Sequence, residues 1–172
     1  ADGTTHPGSW FTYSVDQKTA LGITEIVQES PPDSRLYNWS QNADGTISST
    51  AKELGDINVV DENGDPVLDD DDVQVVTKGV KSNLFAEVKS QQGSLLAQTD
   101  WAVTRKAEKA TAIPANIVTY RDAIRSKATA MESAISGTAN TAAVAALFVT
   151  YTTNEDGSVT KSGILYDWPE LG

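Results

Sequence analysis

The chain has 172 residues, 39% of them apolar, a net charge of -11 and no cysteine. That length suits one domain or two small ones with a modest core, and the missing cysteine excludes disulfide staples, thiolate metal sites and thiol chemistry. Residues 1–76 hold three basic and fifteen acidic side chains, a local balance of -12, so the first part lacks the basic surface that replaces phosphate counterions on a nucleic acid.

The first ten residues contain neither a basic nor an apolar stretch, and no signal peptide is expected. From Trp10 the chain reads as short strands, Trp10 to Val15, Gly22 to Gln28, Arg35 to Gln41 and Thr46 to Leu54. Pro31-Pro32-Asp33 reads as a loop. Asn42-Ala43-Asp44-Gly45 predicts a tight turn, because Asp-Gly supplies the positive φ that a short hairpin demands. A hairpin is therefore expected from Leu36 to Ser49. Val59-Val60 and Val73 to Val76 read as two further strands, separated by the turn Asn63-Gly64-Asp65-Pro66 and an acidic run. No internal repeat is visible.

After Thr77 the period lengthens. Val80, Leu84, Phe85, Val88, Leu95 and Leu96 predict a helix from Lys78 to Ala97, with Gly93 as a soft spot. Thr99 or Asp100 is placed to cap a second helix starting at Trp101. A third starts near Pro114, with Ile117, Tyr120, Ile124, Met131 and Ile135 on its apolar side and Arg121, Asp122, Arg125 and Lys127 mostly opposite; Gly137 ends it. Asn140 to Tyr151 reads as a short helix running into a strand. A closing hairpin turns at Glu155-Asp156-Gly157-Ser158. The longest apolar run, Ala142 to Val149, is too short to span a bilayer. The fold class is α+β: residues 1–76 an acidic β-rich domain of short antiparallel hairpins, residues 77–172 a three-helix region closed by a β-hairpin.

Few residues invite chemistry. His6 is the only histidine and sits near the terminus, a poor position for a catalytic triad. No nucleophile elbow, Walker loop or dinucleotide turn is present, and no enzymatic activity is expected. Asp69, Asp70, Asp71 and Asp72 are the candidates for a cation site, since hard cations take clustered carboxylates. Their spacing is not that of an EF-hand, and a solvated loop is the expected state. No cofactor is expected. Trp39 and Trp101 read as core, while Trp10 and Trp168 are candidates for an intermolecular contact.

The segments Leu95-Leu96-Ala97-Gln98-Thr99-Asp100-Trp101, Ile113 to Arg125 and Tyr166 to Glu170 resemble the tail-assembly-chaperone-like region of many tailed bacteriophages. The matching residues are Leu95, Leu96, Thr99, Asp100, Trp101, Tyr120, Arg121, Ala123, Arg125, Trp168 and Pro169, and the likeness covers roughly residues 80–135 plus the last few. The first part looks like structural proteins of cyanophage-type phages. The chain departs from the chaperones by its acidic first part and by the insertion before Trp168-Pro169. The resemblance implies a non-enzymatic structural protein of the virion, tail-associated at the baseplate or a fibre attachment, made in host cytoplasm and present in several copies. Its partners would be other phage structural proteins, with no nucleic acid and no membrane. The alternatives are a tail-fibre assembly chaperone absent from the particle, a capsid decoration protein and a carbohydrate-binding receptor module. Contact candidates are Trp101, Tyr120, Arg121, Trp168 and Pro169. Trp101 is expected between Leu95-Leu96 and the Tyr120 face, and Pro169 is expected to stop the last strand.

Overall fold

Two long helices hold the core, and each is built around a single apolar stripe. In this computed structural model, which describes residue 8, residues 10–23 and residues 29–172, they are α2 (Val80–Ala97) and α4 (Ala115–Gly137). Helix α2 buries Val80, Leu84 and Val88, one turn apart, and α4 buries Ile117, Tyr120, Ile124, Ala128, Met131 and Ile135. Leu36, Val144, Phe148 and Leu165 form one cluster with Val80, Leu84 and Val88 of α2 and Ala128, Met131 and Ile135 of α4. Leu36, from the acidic first part, thus shares its core with the helices.

The remaining helices are short: α1 (Val15–Ala20), α3 (Asp100–Lys109) and α5 (Thr141–Ala145). Strands β1 (Tyr37–Gln41) and β2 (Ile47–Ala51) form the expected hairpin, with Tyr37 opposite Ala51 and Gly45 at φ 87 in the turn. Strands β5 (Thr150–Thr153) and β6 (Val159–Ser162) form the closing one, with Gly157 at φ 80. Both ribbons are exposed almost throughout. The α+β class holds.

The stretch from Trp10 to Val15 is not a strand. Trp10–Thr12 is a 3-10 turn and Val15 opens α1, because Ser14 and Gln17 form a capping box across the helix start. Of the strand expected over Gly22 to Gln28, residues 24–28 lie outside the described residues, as does His6.

Residues 57–77 hold a repeat that the sequence reading missed. Val59-Val60, Val67-Leu68 and Val75-Val76 recur every eight residues, and Asp61 and Asp69 follow the first two pairs. Val67 N–H donates to Val59 O, Val75 N–H to Val67 O and Val59 N–H to Val75 O, at 2.8–3.0 Å, closing a ring of three segments. Strands β3 (Ile57–Asn58) and β4 (Val76–Thr77) seal it, with bridges Val60–Pro66 and Leu68–Gln74. The Gln74 amide Nε2 sits inside the ring, 2.8, 3.1 and 2.9 Å from the Val59, Val67 and Val75 carbonyls. One side chain thus serves three half-buried backbone acceptors.

The segment that leads into the ring is anchored to α2 by backbone. Val80 N–H donates to Glu53 O and Lys81 N–H to Leu54 O, satisfying two amides that a helix start leaves free. Asp56 accepts from Gly79 N–H at 2.9 Å and pairs with Lys78, and these bonds, with Lys78 foremost, bring its pKa down to about 2. A Cβ on Gly79 would lie 2.2 Å from Gly55 O, so only glycine allows this approach. At this same end of α2, Lys81 Nζ donates to the Ser136 and Thr138 carbonyls, a cation at the C-terminus of α4.

Candidate functional site

The motif residues Thr99, Asp100 and Arg121 meet at one junction. Arg121, on α4, donates through Nη1 to Leu96 O, Thr99 Oγ1 and Asp100 Oδ1, each at 2.8 Å. Leu96 lies in the last turn of α2, whose carbonyls have no partner within the helix, and a cation there opposes the negative end of the helix dipole. Asp100, the first residue of α3, lies at a positive end. Arg121 was expected on the polar side of α4, yet its side chain is only 12% exposed. Thr99 does precede α3, but its hydroxyl makes no cap bond to that helix; it donates to Leu96 O and accepts from Arg121.

Trp101 is not core. It is 52% exposed, and it does not insert toward Tyr120, which is itself buried within α4's stripe. The residue that α3 turns inward is Ala102, whose small side chain lets the helix approach; its neighbour Trp101 points about 100° away around the axis. Arg105, one turn on, lies over the Trp101 ring with its guanidinium carbon 5.2 Å from the centroid. Trp39 is also exposed, at 42%, because β1 and β2 form a two-stranded ribbon too thin to cover it.

The C-terminal segment is tied down residue by residue. Tyr166, at φ 66, donates its hydroxyl to Glu87, and burial together with that carboxylate raises its pKa well above the usual tyrosine value. Asp167 pairs with Lys127 at 2.7 Å and with Lys161, and these two, Lys127 foremost, hold its carboxyl below the usual range. Trp168 donates Nε1 to Gln91 at 2.6 Å. Trp168 and Pro169 face Ala123, Ser126, Lys127 and Ala130 of α4 across a groove of about 480 Å3. Pro169 does not stop the last strand. β6 ends at Ser162, where Gly163 at φ +84 lets the chain close on the Phe148 carbonyl.

The four aspartates have separate duties. Asp69 accepts from the Asp71 and Val73 amides at 3.0 and 2.9 Å, as Asp61 does from Asn63 and Asp65 at 2.8 and 2.9 Å. The Asp65 amide first, then that of Asn63, lowers the Asp61 pKa. Asp72, at φ 60, occupies the left-handed position that Gly64 fills in the preceding turn. Asp70 and Asp71 are exposed. Among the described residues no group of three His, Cys, Asp or Glu side chains is arranged to hold a metal ion.

Set against known protein families, curated proteins and solved structures, the chain matches none of them. The likeness to the phage tail-assembly region rests on the quoted residues alone. Gln74, Gln91 and Asp167 escaped the sequence reading. Only Gln74 had a signal there, in the eight-residue recurrence of Val pairs around it.

Proposed function

We propose that this chain is a non-enzymatic structural protein that works through protein–protein contacts, in the particle of a tailed bacteriophage and in its tail. The observation that carries the reading is the amount of ordered structure left without cover. The β1–β2 and β5–β6 ribbons are exposed on both faces, and a lone two-stranded ribbon is marginal in water. Helix α3 is likewise exposed from Val103 onward, at a length where an isolated helix is marginal. Elements of this kind gain burial when a partner covers them. The polar clusters, at Arg121, Asp167 and Tyr166, hold elements together.

The phage assignment comes from the resemblance, and the junction supports treating that motif as a unit. Four of its residues, Leu96, Thr99, Asp100 and Arg121, form one bonded node. Quantitative mass spectrometry of purified particles and of the infected lysate tests the reading. The protein is expected in the particles at a fixed stoichiometry. Its presence in the lysate alone would favour the assembly chaperone, and its absence from both would end the phage reading.

A further inference from the structure

We propose that helix α3 is the docking face for a second copy of this chain, which presents its acidic ring, so that copies associate head to tail. The inference goes beyond the particle reading and does not depend on it. Helix α3 buries only Ala102, and its exposed length from Trp101 onward carries Trp101, Val103, Arg105, Lys106 and Lys109, three cations against one acidic side chain, Glu108. Trp101 is pre-positioned by Arg105 stacked on its ring, and such aromatic and arginine groups dominate interfaces. The occupant must therefore offer apolar surface bordered by negative charge.

The ring offers both. Residues 61–72 contain seven acidic side chains and no basic one. Asp61 and Asp69 are engaged by their own turns, whereas Glu62, Asp65, Asp70 and Asp71 make no side-chain bond to any described residue. Beside them, Val60, Leu68 and Val73 are exposed. The Gln74-centred bonds hold this surface in shape, which lowers the ordering cost of binding. Both surfaces are exposed within one chain, so neither covers the other there. A second copy can cover each. Because the two patches differ, the contact is heterologous and leaves one of each free at the ends.

The test is sedimentation velocity on the full chain at low and high salt, with two variants whose folding is checked by circular dichroism. Trp101→Ala/Arg105→Glu disables the helix face, and Asp70→Lys/Asp71→Lys disables the ring. The unaltered chain is expected to associate with rising concentration, and more weakly at high salt. Each variant alone is expected to dissociate at least about tenfold more readily. Mixed together, the variants retain one good helix face and one good ring, so they form a one-to-one dimer that grows no further. A monomeric unaltered chain at low salt would overturn the proposal. So would association that survives in either variant alone, or a mixture that stays monomeric.

Discussion

Arg121 and Asp100 meet at 2.8 Å across the junction of α3 and α4, and the same Arg121 nitrogen also reaches Leu96 O and Thr99 Oγ1. Three groups from the α2–α3 link thus converge on one guanidinium. Replacing Arg121 with Met removes all three bonds, leaving Asp100 without its ion pair and Leu96 O with only its Thr99 and Gln98 donors, and about 1–3 kcal/mol of stability should be lost. Lys restores charge without the planar fork, so Arg121→Lys should recover only part of it. Denaturant unfolding of the two variants beside the unaltered chain measures both.

Trp101→Ala should leave stability within about 0.5 kcal/mol, as for exposed positions generally. Ile124→Ala, in the buried stripe of α4, should cost about 2–5 kcal/mol. Thermal melts of the pair decide whether Trp101 belongs to the fold or to a partner; a large loss at Trp101 would return it to the core.

Gln74→Leu removes the donor shared by the Val59, Val67 and Val75 carbonyls. The expected loss is about 1–3 kcal/mol and local. Amide exchange should quicken at Val59, Val67 and Val75 while α4 keeps its protection. Uniform quickening across the chain would show instead that the ring and the helices open together.

Asp167 carries a pH dependence whose sign follows from its partners. Lys127 and Lys161 lower its folded pKa below the ordinary 3.8. Its contribution is therefore complete above that value and fades as pH falls through the lower folded pKa. Because Trp168 is the next residue, its fluorescence should report release of the segment in acid. Asp167→Asn should weaken the attachment at neutral pH and flatten that acid response.

With Trp168 and Pro169 read from sequence as contact candidates, removing residues 166–172 is expected to leave the fold largely intact while weakening incorporation into particles. The bonds from Tyr166 to Glu87, Asp167 to Lys127 and Trp168 to Gln91 alter that expectation. Truncation should lower the melting temperature, and Trp168→Ala alone should cost about 2 kcal/mol, less than a fully buried tryptophan. An unchanged melting temperature in the truncated chain would restore the earlier view.

The sequence was readable where one local signal decides the outcome. Asp44-Gly45 and Asp156-Gly157 specified their turns, since positive φ is a backbone demand, and the 3.6-residue stripe of α4 was read correctly from Ile117 to Ile135. It misled where the outcome depends on what lies opposite. Trp39 and Trp101 are large and apolar, but whether a layer covers them is a tertiary matter. Trp10 to Val15 has strand-like composition, yet the Ser14–Gln17 box overrides it. The eight-residue recurrence hid because its equivalent places hold unlike residues: Gly64 with Asp72, and Pro66 with Gln74. Arg121, Leu96 and Trp168 were singled out from sequence, but the bonds from Arg121 to Leu96 O and from Trp168 to Gln91 were not, since a hydrogen bond between distant segments leaves no periodic trace.

The closed ring at residues 57–77 also bears on how this chain avoids sticking to others. Each of its three segments already pairs with the other two, so no row of backbone donors and acceptors is left open for a foreign strand. The β1–β2 and β5–β6 ribbons have such rows on both flanks. Intermolecular strand addition, whether useful or pathological, should therefore start at those ribbons, and the most acidic part of the chain can engage a neighbour only through its side chains.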